Sequence, residues 1–514
     1  MKKFITILVA LMVLVSSLAG CGSSSETPGT NETPAPAPQQ STQPEGTAED
    51  ATNMGTAENP VVLTMVAKDM PKNDPVTIKY FETIEKAMAE KGMHIKLDLV
   101  EIQEGTYADS VSLLLQSGTI PDIIYFQGGD YQFGVTQGIL EDLTPYVEKS
   151  EYVKGALEAH SVQCLQNYPY LLWIAPTRTK VPVVRKDWFE GMETSAALVA
   201  DPTPENYYQF FKEIQQKYTK KSAFTVQGAT DGLLEVDMIL GQAFSSGMSW
   251  VKDASGKYTY SKISDAELAK LEYYAKLYKE KLLDNEYLSK KYDAKEKAMY
   301  TGEVGVIAAT QGTVVSNYNN KSKAQNGDAG ELMVLPPAKG QDSWSFTPID
   351  VSKESRGWAI GANSKNKELA FKFFDFMASP EGQTIDKLGF EGEHYNIVNN
   401  KIVLTENIKS WYPRVHESVA VFEPVIPFDE STPYMTQITK DSYEMVAKHS
   451  LNDNAFLIPD ELVTEWDAAT AVYKEFAADM VSGKKTAADW NEFVEKWKSM
   501  GGQAVIDYAN TILK

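Results

Sequence analysis

Residues 107–130 read YADSVSLLLQSGTIPDIIYFQGGD, and the order of residue types in them decides the fold class. Tyr107 to Gln116 carries its apolar side chains at helical spacing, and Ser117-Gly118 ends the helix. Pro121-Asp122 then opens Ile123-Ile124-Tyr125-Phe126, a short unbroken apolar run of the kind that forms a buried strand. A helix feeding a buried strand is the repeating step of an α/β architecture. Gln127-Gly128-Gly129-Asp130 makes a loop at the carboxyl end of that strand, the position where open α/β sheets hold ligands.

The alternation continues in both directions. Upstream, Val61 to Val66 reads as a strand and Ile95 to Val100 as another. Between them Ile78 to Lys91 reads as a helix with Tyr80, Phe81, Ile84, Ala87 and Met88 on one face, stopped by Gly92. Downstream, Val181 to Arg185 is a strand, and Thr203-Pro204-Glu205 caps a helix to about Tyr218. Ser249 to Lys262 is a hairpin around Ala254-Ser255-Gly256, and Ser264-Asp265-Ala266-Glu267 is a capping box for a helix to Lys281. Met333 to Pro337 ends a strand, Glu368 to Met377 is helical, and the C-terminal part is mainly helical with Trp490 and Trp497 on one face. No period of about 20 to 50 residues recurs, which excludes a solenoid or propeller.

The N-terminus follows other rules. Lys2 and Lys3 precede an apolar run from Phe4 to Val15, and small residues follow to Gly20. This is the layout of an export signal over residues 1–20, and the run is shorter than the roughly 20 residues of a membrane-spanning helix. Leu18-Ala19-Gly20-Cys21 resembles the lipobox of bacterial lipoproteins. That resemblance implies lipidation of Cys21 and anchoring at the extracellular face of the cell membrane; the alternative is an ordinary signal with an incidental cysteine. Residues 21–58 are mostly Ser, Thr, Pro, Glu and Ala, have almost nothing to bury, and read as a disordered tether.

Acidic residues number 70 and basic ones 49, for a formal net charge of −21. Such a surface repels nucleic acid and anionic headgroups, so no nucleic-acid partner is expected and attachment rests on the lipid. With Cys21 lipidated, Cys164 has no disulfide partner. The body beyond the tether is too long for one core, and two or more lobes are expected. His94, His160, His394, His416 and His449 show no metal-ligand spacing, and the chain lacks a His-Glu-x-x-His, a Gly-x-Ser-x-Gly elbow and a phosphate-binding loop. Asp253 to Lys257 resembles a calcium loop superficially but lacks the later acidic ligand, and reads as a hairpin turn. The expectation is therefore no catalytic residue, no metal and no cofactor.

Several stretches, taken in order, resemble one family. They are Ser117 to Ile124, Gly138-Ile139-Leu140-Glu141-Asp142-Leu143-Thr144-Pro145-Tyr146, Val184-Arg185-Lys186-Asp187-Trp188, Met299 to Gly305, Arg356 to Ile360 with Asn363 to Ala370, and Phe373 to Met377. Together they are similar to family 1 extracellular solute-binding proteins, the lipoproteins that deliver carbohydrates to ABC importers. The resemblance covers nearly all of residues 59–514. It implies a two-lobed α/β, periplasmic-binding-protein-like (type II-like) fold whose discontinuous lobes are joined by hinge strands. The lobes would be 59–175 plus 346–400 and 176–345 plus 401–514, with crossings near Leu172 to Thr179 and Trp344 to Arg356. It also implies a monomer that closes on a carbohydrate, an oligosaccharide by expectation, and presents it to importer permease subunits. The family's ligand-side chains vary after the Gly-Glu pattern, which here continues Ala308-Ala309-Thr310-Gln311-Gly312, so the sugar cannot be carried over.

A saccharide needs aromatic platforms for its C–H faces and carboxylates or amides for its hydroxyls. Trp173, Trp250, Trp344 and Trp358 are the candidate platforms, and Asp130, Arg178, Gln311 and Tyr395 the candidate polar or edge contacts. Each has a plainer rival: core packing for the tryptophans, turn chemistry for Asp130, an ion pair for Arg178 and a surface turn for Tyr395. Trp188, Trp466, Trp490 and Trp497 read as core. Two rival functions stand beside the receptor: an extracellular polysaccharide-acting enzyme, and a binder or sensor for a non-sugar solute such as a peptide.

Overall fold

The structure, a computed structural model, describes residues 53–513 apart from 103–105, 128–136, 158–160, 163–164, 167–168, 174–178, 348–355, 416–421 and positions 220, 246, 414, 423, 452 and 457. Cys21 with the export signal and most of the tether, and also Asp130, Cys164 and Arg178, lie outside the described residues.

The strands are β1 (Val61–Val66), β2 (Ile95–Leu99), β3 (Ile123–Gln127), β4 (Lys180–Arg185), β5 (Ser222–Thr225), β6 (Trp250–Lys252), β7 (Tyr258–Tyr260), β8 (Val304–Thr310), β9 (Leu332–Val334), β10 (Arg356–Ile360), β11 (Tyr395–Val398) and β12 (Lys401–Leu404). One four-stranded sheet has the order β10-β3-β1-β2, with β1 parallel to β2 and β3 and with β10 antiparallel. A second has the order β5-β8-β4-β9, with β5 parallel to β8 and with β4 antiparallel to β8 and β9. Hairpins β6–β7 and β11–β12 stand apart.

The opening stretch folds as its residue types dictate. Thr106 caps the helix Tyr107–Gln116 by accepting from the Asp109 amide, and β3 follows, with Ile123 to Phe126 all buried. Successive side chains of a strand point to opposite faces. Ile123 and Tyr125 therefore join one apolar cluster while Ile124 and Phe126 join another, and the sheet is covered on both sides. The first helix begins at Pro75, a turn earlier than Ile78, because Asp74 accepts from the Thr77 amide at 2.9 Å and Pro75 suits the first helical position. The capping box at Ser264 is only half formed. Ser264 Oγ accepts from the Glu267 amide at 3.3 Å, but the Glu267 carboxylate turns inward to Lys270 at 2.8 Å.

The chain passes between the sheets beside a close backbone contact. Leu172 and Trp358 exchange hydrogen bonds of 2.7 and 2.8 Å. Gly357 has φ 136°, and a Cβ there would lie 2.5 Å from the Leu172 carbonyl oxygen, so only glycine fits. Because β4 runs antiparallel to β8 and β9, its first residue, Lys180, shares one edge of the second sheet with the last residues of β5, β8 and β9. The chain enters the sheet at this edge, called the crossing edge below.

Two late segments pack with particular sheets. Phe346 belongs to a cluster built on β4, β8 and β9, whereas Trp411 and Val415 pack with the first sheet. Among the described residues no helix is long and apolar enough to cross a membrane.

Candidate ligand-binding site

The segment after β5 supplies the chemistry of the crossing edge. Leu234–Leu240 reads LEVDMIL, a helix in which Glu235 and Asp237 interrupt an apolar run and are both buried. Buried carboxylates require partners, and each has them. Glu235 accepts from Lys295 Nζ at 2.8 and 3.0 Å and from the Gln227 amide at 2.8 Å, and it pairs with Lys180 at 3.1 Å. Burial pushes its carboxyl up, but the two ammoniums and these hydrogen bonds outweigh it and hold the group below its ordinary value. Lys295, which also donates to the Ala308 carbonyl at 2.8 Å, is pushed down to about 8 by burial, with Glu235 offsetting part of the effect.

Asp237 sits in a second network. Lys262 and Lys270 contact it at 2.7 and 2.8 Å and Tyr274 donates to it at 3.0 Å. Lys270 also pairs with Glu267, which Tyr473 caps through its hydroxyl. Burial opposes ionisation of Asp237, and the two lysines reverse the balance so that it stays charged. The Asp237 carbonyl accepts from Thr347 Oγ1 at 2.8 Å, and Gln242 Nε2 donates to Thr347 Oγ1 at 2.9 Å. These networks anchor both places where the chain crosses: Lys180 follows the first crossing and Thr347 precedes the second.

A recess opens beside them. A small pocket of about 70 Å³ is bounded by Asp237, Lys262, Lys270 and Thr347. It shares Phe244, Ser245, Met248, Ser261 and Ala266 with an open groove of about 1320 Å³. The groove has Trp250, Phe244 and Tyr258 among its aromatic walls and Thr203, Ser264, Gln341 and Asn454 among its hydroxyl and amide groups. Asn454 is held by Trp250, whose backbone amide donates to Asn454 Oδ1 at 3.0 Å and whose carbonyl accepts from Nδ2 at 2.8 Å.

The sequence-predicted residues are not gathered into one place. Trp173 and Trp358 are each 2 % exposed and lie in clusters on opposite faces of the first sheet, with Trp358 4.9 Å from the Tyr125 ring. A sheet covered on both faces leaves the tryptophans packed against it no solvent side, so their bulk is core. Trp250 reaches the groove wall from within a stack on Phe456 at 5.1 Å. Gln311 is buried and serves the crossing: its Oε1 accepts from the Thr179 amide at 2.8 Å. Tyr395 is buried with Leu388, Ile402 and Phe422 in a small cluster under the β11–β12 hairpin. Trp344 alone of the four tryptophans keeps an exposed ring, on the segment after β9. Asp130 and Arg178 lie outside the described residues. Of the four tryptophans expected in the core, Trp490 and Trp497 are buried, while Trp188 and Trp466 pack partly buried against the same cluster.

Glu235, Asp237, Lys262, Lys270 and Lys295 escaped the sequence reading, although two acids two residues apart inside LEVDMIL were a legible sign. Among the described residues no group of three His, Cys, Asp or Glu side chains is placed to hold a metal ion. Asp253 is occupied by its own turn, accepting from the Ser255 and Lys257 amides.

A fold with two sheets, two cores and a recess at the edge where the chain crosses is that of a two-lobed binding protein. The family model described as bacterial extracellular solute-binding protein matches residues 75–384, more than half of the chain, and the chain belongs to that family. It is 22% identical over 455 residues to the polygalacturonan/rhamnogalacturonan-binding protein YtcQ of Bacillus subtilis (strain 168), covering 81% of this chain and 85% of the relative. Among solved structures, it resembles the N-glycan transport solute-binding protein NgtS of Streptococcus pneumoniae at a TM-score of 0.61 and 18% identity, covering 88% of this chain and 98% of that one. It also resembles the alginate-binding protein AlgQ2, at a TM-score of 0.59 and 20% identity over 90% of this chain and 99% of that one. The family is one of extracellular binding proteins.

Proposed function

We propose that this protein captures an oligosaccharide outside the cell and delivers it to the permease subunits of an ABC importer. The groove at the crossing edge carries the reading. It sets aromatic rings beside hydroxyls and amides, the combination that C–H faces and sugar hydroxyls require. Its volume of about 1320 Å³ exceeds the roughly 300–1,000 Å³ of small-molecule pockets and suits several linked sugar units. The similar proteins named above, binders of polygalacturonan, N-glycan and alginate, support the same class.

In this reading Cys21 carries the lipid and the segment to about Glu58 is the tether. The first lobe takes residues from 59 to the first crossing and from the second crossing to Val415. The second lobe takes the intervening span and the C-terminal helices. Closure of the lobes on ligand creates the shape that the permease distinguishes from the empty receptor.

A thermal-shift screen of the protein against oligosaccharides and peptides tests the solute. A ligand at about 100 times its dissociation constant stabilises by roughly 2.7 kcal/mol. A midpoint moved by peptides and by no saccharide would overturn the assignment.

A further inference from the structure

We propose that the saccharide is anionic, its carboxylates held by Lys339 and Lys448 around the Trp344 platform. This rests on the oligosaccharide reading above and narrows it to a uronic-acid class.

Trp344 is 36 % exposed at the end of the turn that lines the groove, from Lys339 to Asp342. Its indole is held in place. Nε1 donates to the Pro337 carbonyl at 3.2 Å, the His449 ring lies 4.4 Å away, and the His449 Nδ1 is 3.1 Å from the Trp344 carbonyl. A fixed, partly exposed indole is suited to the apolar face of a sugar ring.

Two ammoniums lie over this indole, Lys339 Nζ at 5.6 Å and Lys448 Nζ at 5.5 Å from its centre. Lys448 lies in the last turn of the helix Gln437–His449 and has no ion pair among the described residues. Lys339 is paired with Asp201 at 2.9 Å, but both side chains are largely exposed, and such a pair exchanges for an incoming carboxylate at little cost. Lys252 also lines the groove. In a chain whose acids outnumber its bases 70 to 49, Lys252 and Lys339 line the groove beside Asp201 and Asp342, and Lys339 and Lys448 both lie over the Trp344 ring. A neutral sugar would use the indole and make no ion pair with these ammoniums. A uronic acid carries its carboxylate beside the ring face that stacks, and uses both.

Calorimetric titration with oligogalacturonate and with the same oligomer after carboxyl reduction, at low and at raised salt, tests this. The acidic oligomer should bind about tenfold tighter or more, with an advantage that shrinks as salt rises. The double variant Lys339→Gln, Lys448→Gln should bring the acidic-to-neutral affinity ratio towards one, with an unfolding midpoint close to that of the parent. Equal binding of the two oligomers, or an unchanged ratio in the double variant, would overturn the charge assignment while leaving the oligosaccharide reading in place. Binding of no saccharide of either kind would overturn that reading itself.

Discussion

Lys295 and Glu235 face each other at 2.8 Å with side chains 0 % and 1 % exposed, beneath the edge where the chain enters the second sheet. Removing one partner of such a pair leaves a buried charge uncompensated. Glu235→Gln should therefore destabilise by about 3–5 kcal/mol, read as a lower urea midpoint. Replacing both residues with apolar ones of similar volume, Glu235→Leu with Lys295→Met, should recover much of the loss.

Acid should weaken the fold through the same carboxylate. Burial works against the charged form of Glu235, but its lysines hold its folded pKa below the ordinary 4.5. Glu213 is lowered to about 2: burial pushes it up, and bonds from Lys217 and from the Glu193 and Thr194 amides more than reverse this. A carboxyl with a depressed folded pKa binds fewer protons in the native state. Its stabilisation is complete above about 4.5 and drains as pH falls towards the folded value. The stability gap between the parent and Glu235→Gln should narrow when urea melts are repeated at falling pH across that window. A gap that does not depend on pH would contradict it.

Trp358→Ala should act on stability. The ring sits 4.9 Å from Tyr125 and 6.0 Å from Phe374 in the first core, and large-to-small changes at such sites cost about 3–5 kcal/mol. Trp344→Ala should do the reverse, weakening saccharide binding by about tenfold while costing about 1 kcal/mol or less of stability. Denaturation and calorimetry of the two variants side by side separate the roles.

Gln311→Leu should loosen the first crossing. The Thr179 amide now donates to Gln311 Oε1 at 2.8 Å, and a buried donor left without its acceptor costs about 1–3 kcal/mol. Hydrogen exchange at the Thr179 amide should accelerate by more than exchange within the adjoining β4. Protection equal to the parent's would show that the side-chain acceptor is dispensable.

Much of the fold was legible because it is written in local patterns. The helix Tyr107–Gln116 was read to the residue, and β1, β2, β3 and β4 to within one residue at either end, from apolar spacing and from Ser, Gly and Pro punctuation. The first helix starts a turn before its apolar periodicity does, because Asp74-Pro75 is a cap written outside that pattern. Glu267 was assigned to a capping box, a local partner, when a lysine one turn on and a tyrosine of a distant helix had the stronger claim.

The candidate site was legible only in part. Apolar residues recur at a period that reports which face is covered, but a tryptophan's contribution to a site depends on whether anything covers it. Trp173 and Trp358 lost their solvent side because helices close both faces of the first sheet, whereas Trp344, on the segment after β9, keeps its own.

By itself the sequence determined the class of fold, the order of its elements and the family, since each rests on neighbours along the chain or on motifs in series. Tertiary structure alone decided which tryptophan faces solvent, and that Glu235 and Asp237 bind lysines 25 to 60 residues away at the two crossings. The reason is physical: the partner of a buried charge and the cover of an aromatic ring are supplied by segments that no local pattern brings together.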